Sequence, residues 1–535
     1  MARSAPAPRA PTTALRRLAY GLLLVSPGLV PLVVRYLPFQ DWVGHVGLFA
    51  VLVHWDDPAF QMPRDYALRG WIGPNRLFYV LAWPLGEVFG PLDGLRWTLA
   101  LFLGGLAPAA HLLARSLGLD PRVAVLAPPL ALGRLLLCGF APNVAALTAF
   151  VAALAAFFEF RRRTTVRRWL LLVGLGLATL GLHVFVFLTL AGLLLLSALL
   201  DAVAGRRSAA GGVGLALAVF APFTAILGRP AESASGPGTW NALVEALELP
   251  TWAKTQDAWT WLFASYHRSQ TDDVLQAAWM AVLGLTAVAA WWSRHPPAST
   301  PEIEADDLDP WARRHVALWL VASLTVFAVV NENIGPPVNW WGASLRLPTV
   351  SAILGLVLAA PSRFEGRAWP FYAGGLVSAG FVAFVLGTTL QFERVEMAGF
   401  GAVVERVPLG ATTCPLHETS ELTRDFPGVA HGYVGNYVVA QRGGVVPQGV
   451  FGNEGVLFAA QRRIVQPGWG LKPGFSWPRH HRDCQFFLVR QSPDEVWPPS
   501  TRGQVRRITS GPTWTLYEKT PPAHSAGARS PSPPG

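Results

Sequence analysis

Long apolar stretches separated by short polar loops occupy the first 390 residues of the chain. An α-helix needs about 20 apolar residues to cross a membrane. The stretch from Trp169 to Leu200 is interrupted mainly by His183 and is too long for one crossing, so it predicts two helices with His183 near the turn between them. The whole pattern predicts about eleven spans, at residues 18–36, 95–114, 123–139, 143–160, 169–184, 186–203, 212–228, 274–292, 315–331, 347–361 and 369–390.

The stretch 76–90 is ambiguous because it is short and contains Pro84 and Glu87. We predict a half-inserted or interfacial helix there. If this stretch does not cross, the loop 161–168 with its five Arg lies on the same side as the other basic loops, and the positive-inside rule assigns that side to the cytoplasm. The N-terminus is then predicted inside and the C-terminal region outside.

The chain changes character after Leu390, where turns rich in Gly and Pro alternate with short β-like runs. Residues 391–520 therefore predict a small extracytoplasmic domain, α/β or mostly β, with strands at 437–440, 485–490 and 514–517. Cys414 and Cys484 both lie in this domain, and either a disulfide or two unrelated buried thiols is compatible with that. The composition of residues 1–14 and 521–535 predicts disorder.

Composition agrees with a membrane protein, mostly α. The chain is 52% hydrophobic and 14% charged, whereas soluble domains carry roughly 25% charged residues. A net charge of +10 invites a nucleic-acid partner, but the Arg residues lie in short loops between apolar stretches, so we predict a lipid bilayer and no nucleic acid. Abundant Arg and Ala with little Lys indicate a high-GC bacterium, which makes the plasma (inner) membrane the expected location.

The first outer loop, residues 37–94, is dense in acidic, His and aromatic residues. Asp41 follows the first span directly, His45 comes four residues later, and Asp56 and Asp57 are adjacent further along. Carboxylates and imidazoles are costly near lipid, so their concentration at one boundary indicates binding or chemistry.

This layout resembles the GT-C superfamily of membrane glycosyltransferases. The residues that carry the resemblance are Pro38–His45 (PFQDWVGH) after the first span, the turn Gly139–Asn143, Arg167–Trp169 with Leu182–His183, and Trp341–Arg346 at the head of a span. The resemblance implies inverting transfer of a sugar from a polyprenyl-phosphate carrier, with a first-loop acid as base or metal ligand. A strict Asp-x-Asp motif is missing at the membrane edge.

Asp41 is the predicted base, since the end of the span positions it at the outer mouth of the bundle; a helix-end acid bonded to backbone is the alternative. His45 shares a helix face with Asp41 if residues 41–54 are helical, and the two then share a proton or a metal. Asp56 and Asp57 are candidates for a divalent ion, Mg²⁺ or Mn²⁺, although a solvated turn is the preferred explanation for them.

Cationic groups must stabilise the departing phosphate. Arg346 is the first candidate because its planar fork matches phosphate oxygens; a snorkelling interfacial Arg is the alternative. His183 is a candidate as a lone ionisable group between apolar helices. Arg134, near the outer end of an apolar stretch, and Arg35 are weaker candidates.

Two other classes of function fit the same pattern. A flippase or transporter of a lipid-linked substrate is disfavoured because the sequence has few intramembrane charges and no internal repeat. A non-catalytic scaffold whose outer domain binds envelope polymers or a partner enzyme stays open.

Overall fold

The structure is a computed structural model, and it describes residues 11–68, 73, 75–227, 247, 251–263, 266, 271–293, 310–334, 342–361, 369–417, 430–447, 458–461, 472–490, 497 and 503–520. The acidic insert 296–312 lies mostly outside this part of the chain, and the tail 521–535 and residues 1–10 lie wholly outside it. The longer helices are α1 (Pro11–Val25), α2 (Trp42–Val53), α3 (Leu77–Phe89), α4 (Pro91–Ser116), α5 (Ala141–Arg162), α6 (Val166–Leu182), α7 (Val184–Val203), α8 (Arg207–Leu227), α9 (Trp252–Leu262), α10 (Thr271–Ser293), α11 (Pro310–Val329), α12 (Leu347–Leu358), α13 (Trp369–Val395) and α14 (Gly435–Arg442).

The predicted multi-pass helical bundle is confirmed. Within the described ranges, seven helices are long and apolar enough to cross a membrane. Shorter apolar helices, α2, α3 and α12 among them, accompany these seven. Ten of the eleven predicted spans coincide with helices, and His183 is the residue that separates α6 from α7.

The prediction of a continuous span over 123–139 is wrong. This segment forms three short helical pieces, at Pro121–Leu126, Pro128–Ala131 and Arg134–Leu137. Proline removes a backbone donor and clashes with the preceding turn, so Pro128 and Pro129 interrupt the helix although every neighbour is apolar.

The ambiguous stretch 76–90 is the helix α3. It ends at Phe89. The next residue, Gly90, has a φ of +81° in the left-handed region, and α4 begins directly after it with Pro91. The two helices pack closely, because a Cβ at Gly94 would lie 2.4 Å from the backbone nitrogen of Gly86. The pair α3–α4 is therefore a tight helical hairpin.

The bundle has two distinct ends. At one end the guanidinium of Arg96 donates to the carbonyls of Pro31 and Leu32, where the first span finishes. At the other end Arg161 is paired with Asp201 through two hydrogen bonds of 2.9 and 2.6 Å. We call these the acidic-loop end and the basic-loop end, because the first carries the 37–94 loop and the second carries the loop 161–168.

The described residues form six strands: β1 (Tyr66–Leu68), β2 (Thr413–Leu416), β3 (Phe458–Ala460), β4 (Phe486–Arg490), β5 (Val505–Ser510) and β6 (Trp514–Lys519). A four-stranded sheet has the order β2-β4-β6-β5, with β2 and β4 parallel and the other pairs antiparallel. Strands were correctly predicted at β4 and β6. Cys414 on β2 and Cys484 just before β4 form a disulfide.

The strand predicted at Tyr437–Ala440 is wrong, because these residues belong to α14. Tyr437, Val438 and Val439 are all buried. Packing against α2 and the loop before it, where the Tyr437 hydroxyl accepts from the backbone N–H of Leu37, overrides the strand preference of aromatic and β-branched residues.

The C-terminal region is joined to the first outer loop. Strand β1 of that loop pairs antiparallel with β3, and the rings of Tyr36, Phe400 and Tyr437 pack together with centroids 4.9–6.1 Å apart. The predicted domain boundary at 391 falls inside α13, which continues to Val395. One apolar core therefore runs from the helices into the sheet, and a smaller core surrounds the disulfide.

Candidate active site

The segment before α2 is fixed against the segment before α5 by their backbones. The N–H groups of Gln40 and Asp41 donate to the carbonyls of Leu137 and Cys138, at 3.1 and 3.0 Å. At Gly139, φ is +79° and a Cβ would lie 2.5 Å from the nitrogen of Asp41, so only glycine fits. The broken segment 123–139 thus serves to hold Asp41.

Helix α2 positions both predicted first-loop residues. Asp41 occupies the N-cap position, and its carbonyl accepts from the backbone N–H of His45 at 3.0 Å. The helix on which a shared face of Asp41 and His45 depended is therefore present, over Trp42–Val53 with Asp41 and His54 as its caps. Both ring nitrogens of His45 are engaged: Nδ1 with the hydroxyl of Tyr79, and the other with the backbone of Gly139. A carbonyl only accepts, so the nitrogen facing Gly139 carries the proton and Nδ1 accepts from Tyr79.

Arg346 and His183 come together at the same end of the bundle. Arg346 ends the short 3₁₀ helix Ser344–Arg346 that leads into α12, and its Nη1 donates to Nε2 of His183 at 2.8 Å. The guanidinium lies over the ring of Phe140, 4.8 Å from the centroid, and 5.8 Å from that of Phe185. The imidazole therefore orients the guanidinium as a neutral acceptor.

The carboxylate of Asp41 interacts electrostatically with the guanidinium of Arg346. Burial raises the pKa of Asp41, which lies outside the membrane-spanning helices, to about 7, and the positive charge of Arg346 acts against that rise. The carboxylate of Asp41 also interacts electrostatically with the hydroxyl groups of Tyr79 and Tyr433. The site thus combines a carboxyl whose pKa is raised by burial with a cation that interacts with it.

The structure brings four predicted residues together: Asp41, His45, His183 and Arg346. Arg134 lies at the edge of this group, interacting with Cys138 and stacking its guanidinium 5.3 Å from the ring centroid of Trp261.

Arg35, Asp56 and Asp57 do not join the group. Arg35 is exposed, and its backbone N–H donates to Glu393 at 2.7 Å. The two acids follow the far end of α2, whose 12 residues place them about 18 Å along the axis from Asp41.

The turn that carries Asp56 and Asp57 matches the solvated alternative. An oxygen of Asp57 accepts from the backbone N–H of Ala59 at 2.9 Å, and Asp56 is exposed. In the part of the chain that the structure describes, no group of three or more His, Cys, Asp or Glu side chains is arranged to hold a metal. The residues present do not fit a Mg²⁺ or Mn²⁺ site at this turn.

Sequence reasoning missed three members of the site. Tyr79 lies on the ambiguous stretch 76–90, and its pairing with His45 crosses 34 residues. Tyr433 comes from the C-terminal region, almost 400 residues from Asp41. Asn143 begins α5 and is 1% exposed, and the turn before it was noted only for its resemblance to a family pattern.

No family model matches this chain, and neither does any curated protein. Among solved structures, the chain is similar to the crystal structure of ArnT from Cupriavidus metallidurans bound to undecaprenyl phosphate. The two share 12% sequence identity with a TM-score of 0.49, and the match covers 97% of this chain and 100% of that chain. This likeness concerns overall fold and says nothing about the activity of the present chain.

Proposed function

We propose that this protein is an integral membrane glycosyltransferase that transfers a sugar from a polyprenyl-phosphate carrier to an extracytoplasmic acceptor. One observation carries the proposal: the Asp41 carboxyl, whose pKa burial raises to about 7, interacts with the largely buried guanidinium of Arg346 at the acidic-loop end of the bundle, where α6, α7 and α12 meet. A base and a phosphate-binding cation at a membrane boundary are the two groups that this reaction requires.

Asp41 is the base in this proposal. Its carboxylate takes the proton of the acceptor hydroxyl while that oxygen attacks the anomeric carbon from the face opposite the phosphate. The bond between the anomeric carbon and the phosphate oxygen breaks, and its electron pair stays with the phosphate. Because attack and departure occur on opposite faces, the configuration inverts.

Arg346 stabilises the departing phosphate. Its fork-shaped donors match phosphate oxygens, and His183 and Phe140 hold its plane. On α7, Phe185 is half-buried near the guanidinium, and Leu188, one turn further along, is exposed. A polyprenyl tail lying along this helix would bring its phosphate to Arg346.

Lipid analysis of the purified protein tests the carrier. Wild type and Asp41→Asn are expected to retain polyprenyl phosphate or its glycosylated form, identified by mass spectrometry of the extract. The amount of this lipid retained by Arg346→Gln is expected to be at least tenfold lower. A wild-type extract free of polyprenyl lipids contradicts the proposal.

The glycosylated lipid found in this way then serves as donor in proteoliposomes, with release of its sugar as the readout. Asp41→Asn is expected to lower the rate by about 10²–10⁴-fold, the usual contribution of a general base. Asp57→Asn, in the same loop but outside the site, is the matched control and keeps wild-type rate. Equal rates in wild type and Asp41→Asn would contradict catalysis by Asp41 and favour a non-catalytic scaffold. Transport of the intact lipid without release of its sugar would favour a flippase.

A folding control separates these outcomes from misfolding. Since the pKa of Asp41 is raised above its usual value of 3.8, its carboxyl favours the folded state at low pH, and that contribution is lost as the pH rises through about 7. Above that pH the folded protein must bury an ionised carboxylate, which costs stability. Asparagine carries no charge and avoids this cost, so Asp41→Asn is expected to be at least as stable as wild type at pH 8.

A further inference from the structure

Four residues around the candidate site carry buried polar atoms without a hydrogen-bond partner among the described residues. They are the indole nitrogen of Trp42, both amide atoms of Asn143, the hydroxyl of Ser344 and Nδ1 of His183. Trp42 and Ser344 are fully buried, and Asn143 is 1% exposed. Buried polar groups in folded proteins are nearly always paired, so a concentration of unpaired ones indicates a place built for a ligand.

Each of these residues is close along the chain, or bonded, to a group of the site. Trp42 follows Asp41, and Ser344 is on the same 3₁₀ helix as Arg346. His183 accepts from Arg346.

Asn143 is three residues after Phe140, the ring that underlies the guanidinium, and three residues is the spacing of neighbours on one helix face. The first turn of α5, the 3₁₀ helix Ser344–Arg346, the break at His183 and the start of α2 therefore surround one region.

The chemistry of the unpaired atoms discriminates between ligands. The indole N–H of Trp42 only donates, and Nδ1 of His183 also donates, because its Nε2 is the acceptor from Arg346. The Asn143 amide offers a donor and an acceptor, and the Ser344 hydroxyl offers both as well. An ionised phosphate only accepts, so it would leave the carbonyl oxygen of Asn143 unpaired. A hydroxyl group of a sugar donates and accepts, and it satisfies both sides of the amide.

We propose that Asn143 and Ser344 bind hydroxyl groups of the carrier-linked sugar and select which sugar is transferred, while the phosphate rests on Arg346. This assignment rests on the proposed function and deepens it, because it separates a neutral sugar subsite from the charged phosphate subsite. It predicts a donor sugar whose ring presents a free hydroxyl to the first turn of α5.

Ligand-dependent thermal unfolding of the full-length protein in detergent tests the assignment. The probes are undecaprenyl phosphate alone and undecaprenyl phosphate linked to glucose, galactose or mannose. Wild type is expected to bind undecaprenyl phosphate and to bind one of the three hexose-linked lipids at least tenfold more tightly. In Asn143→Leu and Ser344→Ala, affinity for undecaprenyl phosphate stays within twofold of wild type, while the extra affinity for the hexose-linked lipid is lost.

Ser378→Ala is the matched control, since the Ser378 hydroxyl is equally buried but donates to the carbonyl of Val125 at 2.6 Å. Without lipid, Ser378→Ala is expected to lower the melting temperature, because it removes a made hydrogen bond. Ser344→Ala is expected to leave that temperature unchanged or to raise it, because it removes an unpaired hydroxyl.

Three results would overturn the assignment. One is a loss of undecaprenyl phosphate binding in Asn143→Leu as large as the loss for the hexose-linked lipid, which would place the phosphate there. Another is equal affinity of wild type for the bare and all hexose-linked lipids. The third is a fall in melting temperature for Ser344→Ala as large as that for Ser378→Ala, which would mean that ordered water already pairs the hydroxyl. If wild type binds none of the four lipids, the proposed function itself fails.

Discussion

Asp41 owes its chemical character to its position. The carboxyl lies at the N-cap of α2, is largely removed from water and is opposed by one guanidinium, so its pKa is raised to about 7 instead of being held low by the cation. Burial thus outweighs the attraction of Arg346. A carboxylate with a pKa near the working pH is both present in its basic form and basic enough to take a proton.

The dependence of the transfer rate on pH follows from this pKa. Only the carboxylate form of Asp41 accepts a proton, so the logarithm of the rate is expected to rise with unit slope below about pH 7 and to level off above it. The measurement is the initial rate of sugar release in proteoliposomes between pH 5 and 9. A wild-type profile that is flat across this range contradicts the role of Asp41, and the residual activity of Asp41→Asn provides the pH-independent baseline.

Close contacts at glycine determine how the first span meets α4. The span contains Pro27 and Pro31, which explains why it continues from α1 as a 3₁₀ helix over Ser26–Leu32. Between these prolines, Gly28 approaches the backbone of α4 so closely that a Cβ would lie 2.6 Å from the carbonyl oxygen of Ala100. The position of the first span, and hence of Asp41 beyond it, depends on this contact.

Gly28→Ala is expected to destabilise the protein by about 1–3 kcal/mol, because the added methyl group has no space and the atom it meets is backbone. Gly21→Ala is the matched control. It lies in the same span, has no atom within 4 Å of its Cβ position, and is expected to be neutral or slightly stabilising. Thermal unfolding in detergent measures both variants. A smaller effect at Gly28 than at Gly21 would mean that the close contact between the first span and α4 does not hold the span in place.

A second contact between elements closes the basic-loop end. Arg161 of α5 and Asp201 of α7 are both fully or nearly fully buried, and His315 of α11 lies 3.5 Å from the same carboxylate. These residues could not be singled out from the sequence, since Arg161 is one of several Arg in its loop. Three helices from distant parts of the chain are thereby joined at one point.

Asp201→Asn is expected to cost about 3–5 kcal/mol of stability, because it leaves the guanidinium of Arg161 buried without its countercharge. Arg162→Met is the control. The adjacent Arg162 pairs with Glu159 at 3.7 Å in partial solvent, and such pairs contribute about 0–1 kcal/mol. Denaturant or thermal unfolding of the purified variants decides the matter. Equal decreases in the free energy of unfolding for the two variants would show that the buried Arg161–Asp201 pair contributes no more to stability than the exposed Arg162–Glu159 pair.

At the scale of elements, apolar length predicted most of the bundle and failed where local chemistry or tertiary contact intervened. Residues 123–139 have the right hydropathy for a span, but hydropathy does not register Pro128 and Pro129. Residues 437–440 have strand propensity, yet their environment is set by α2 and the loop before it, nearly 400 residues away. The candidate site could be predicted in part for the same reason. Asp41, His45, His183 and Arg346 were recognisable by residue type and by their position at helix ends. Tyr79 and Tyr433 join them only through tertiary contacts that the sequence pattern does not show.

The distribution of charge predicts how the whole molecule is oriented in the membrane. The loop 161–168 lies at the opposite end of the bundle from Asp41 and the sheet, as the positive-inside rule requires if the basic-loop end faces the cytoplasm. The described residues contain one free cysteine, the buried Cys138, and Cys414 and Cys484 are bonded to each other, so the background for thiol labelling is low.

Single cysteines at exposed positions test this orientation. Arg506→Cys on β5 is expected to react with a membrane-impermeant maleimide in intact spheroplasts. Arg163→Cys, between α5 and α6, is expected to react only after the membrane is permeabilised. Labelling in the reverse order would place the site on the cytoplasmic side and remove the extracytoplasmic acceptor from the proposal.

Strand β1 is translated almost 400 residues before its partner β3, which begins at Phe458. Tyr433, whose hydroxyl interacts electrostatically with Asp41, is also translated long after Asp41. An unfinished polypeptide can therefore insert most of its helices while Asp41 still lacks part of its surroundings. Under the proposed function, transfer therefore begins only after β3 has been translated, and a chain truncated before residue 430 is expected to enter the bilayer without transferring sugar.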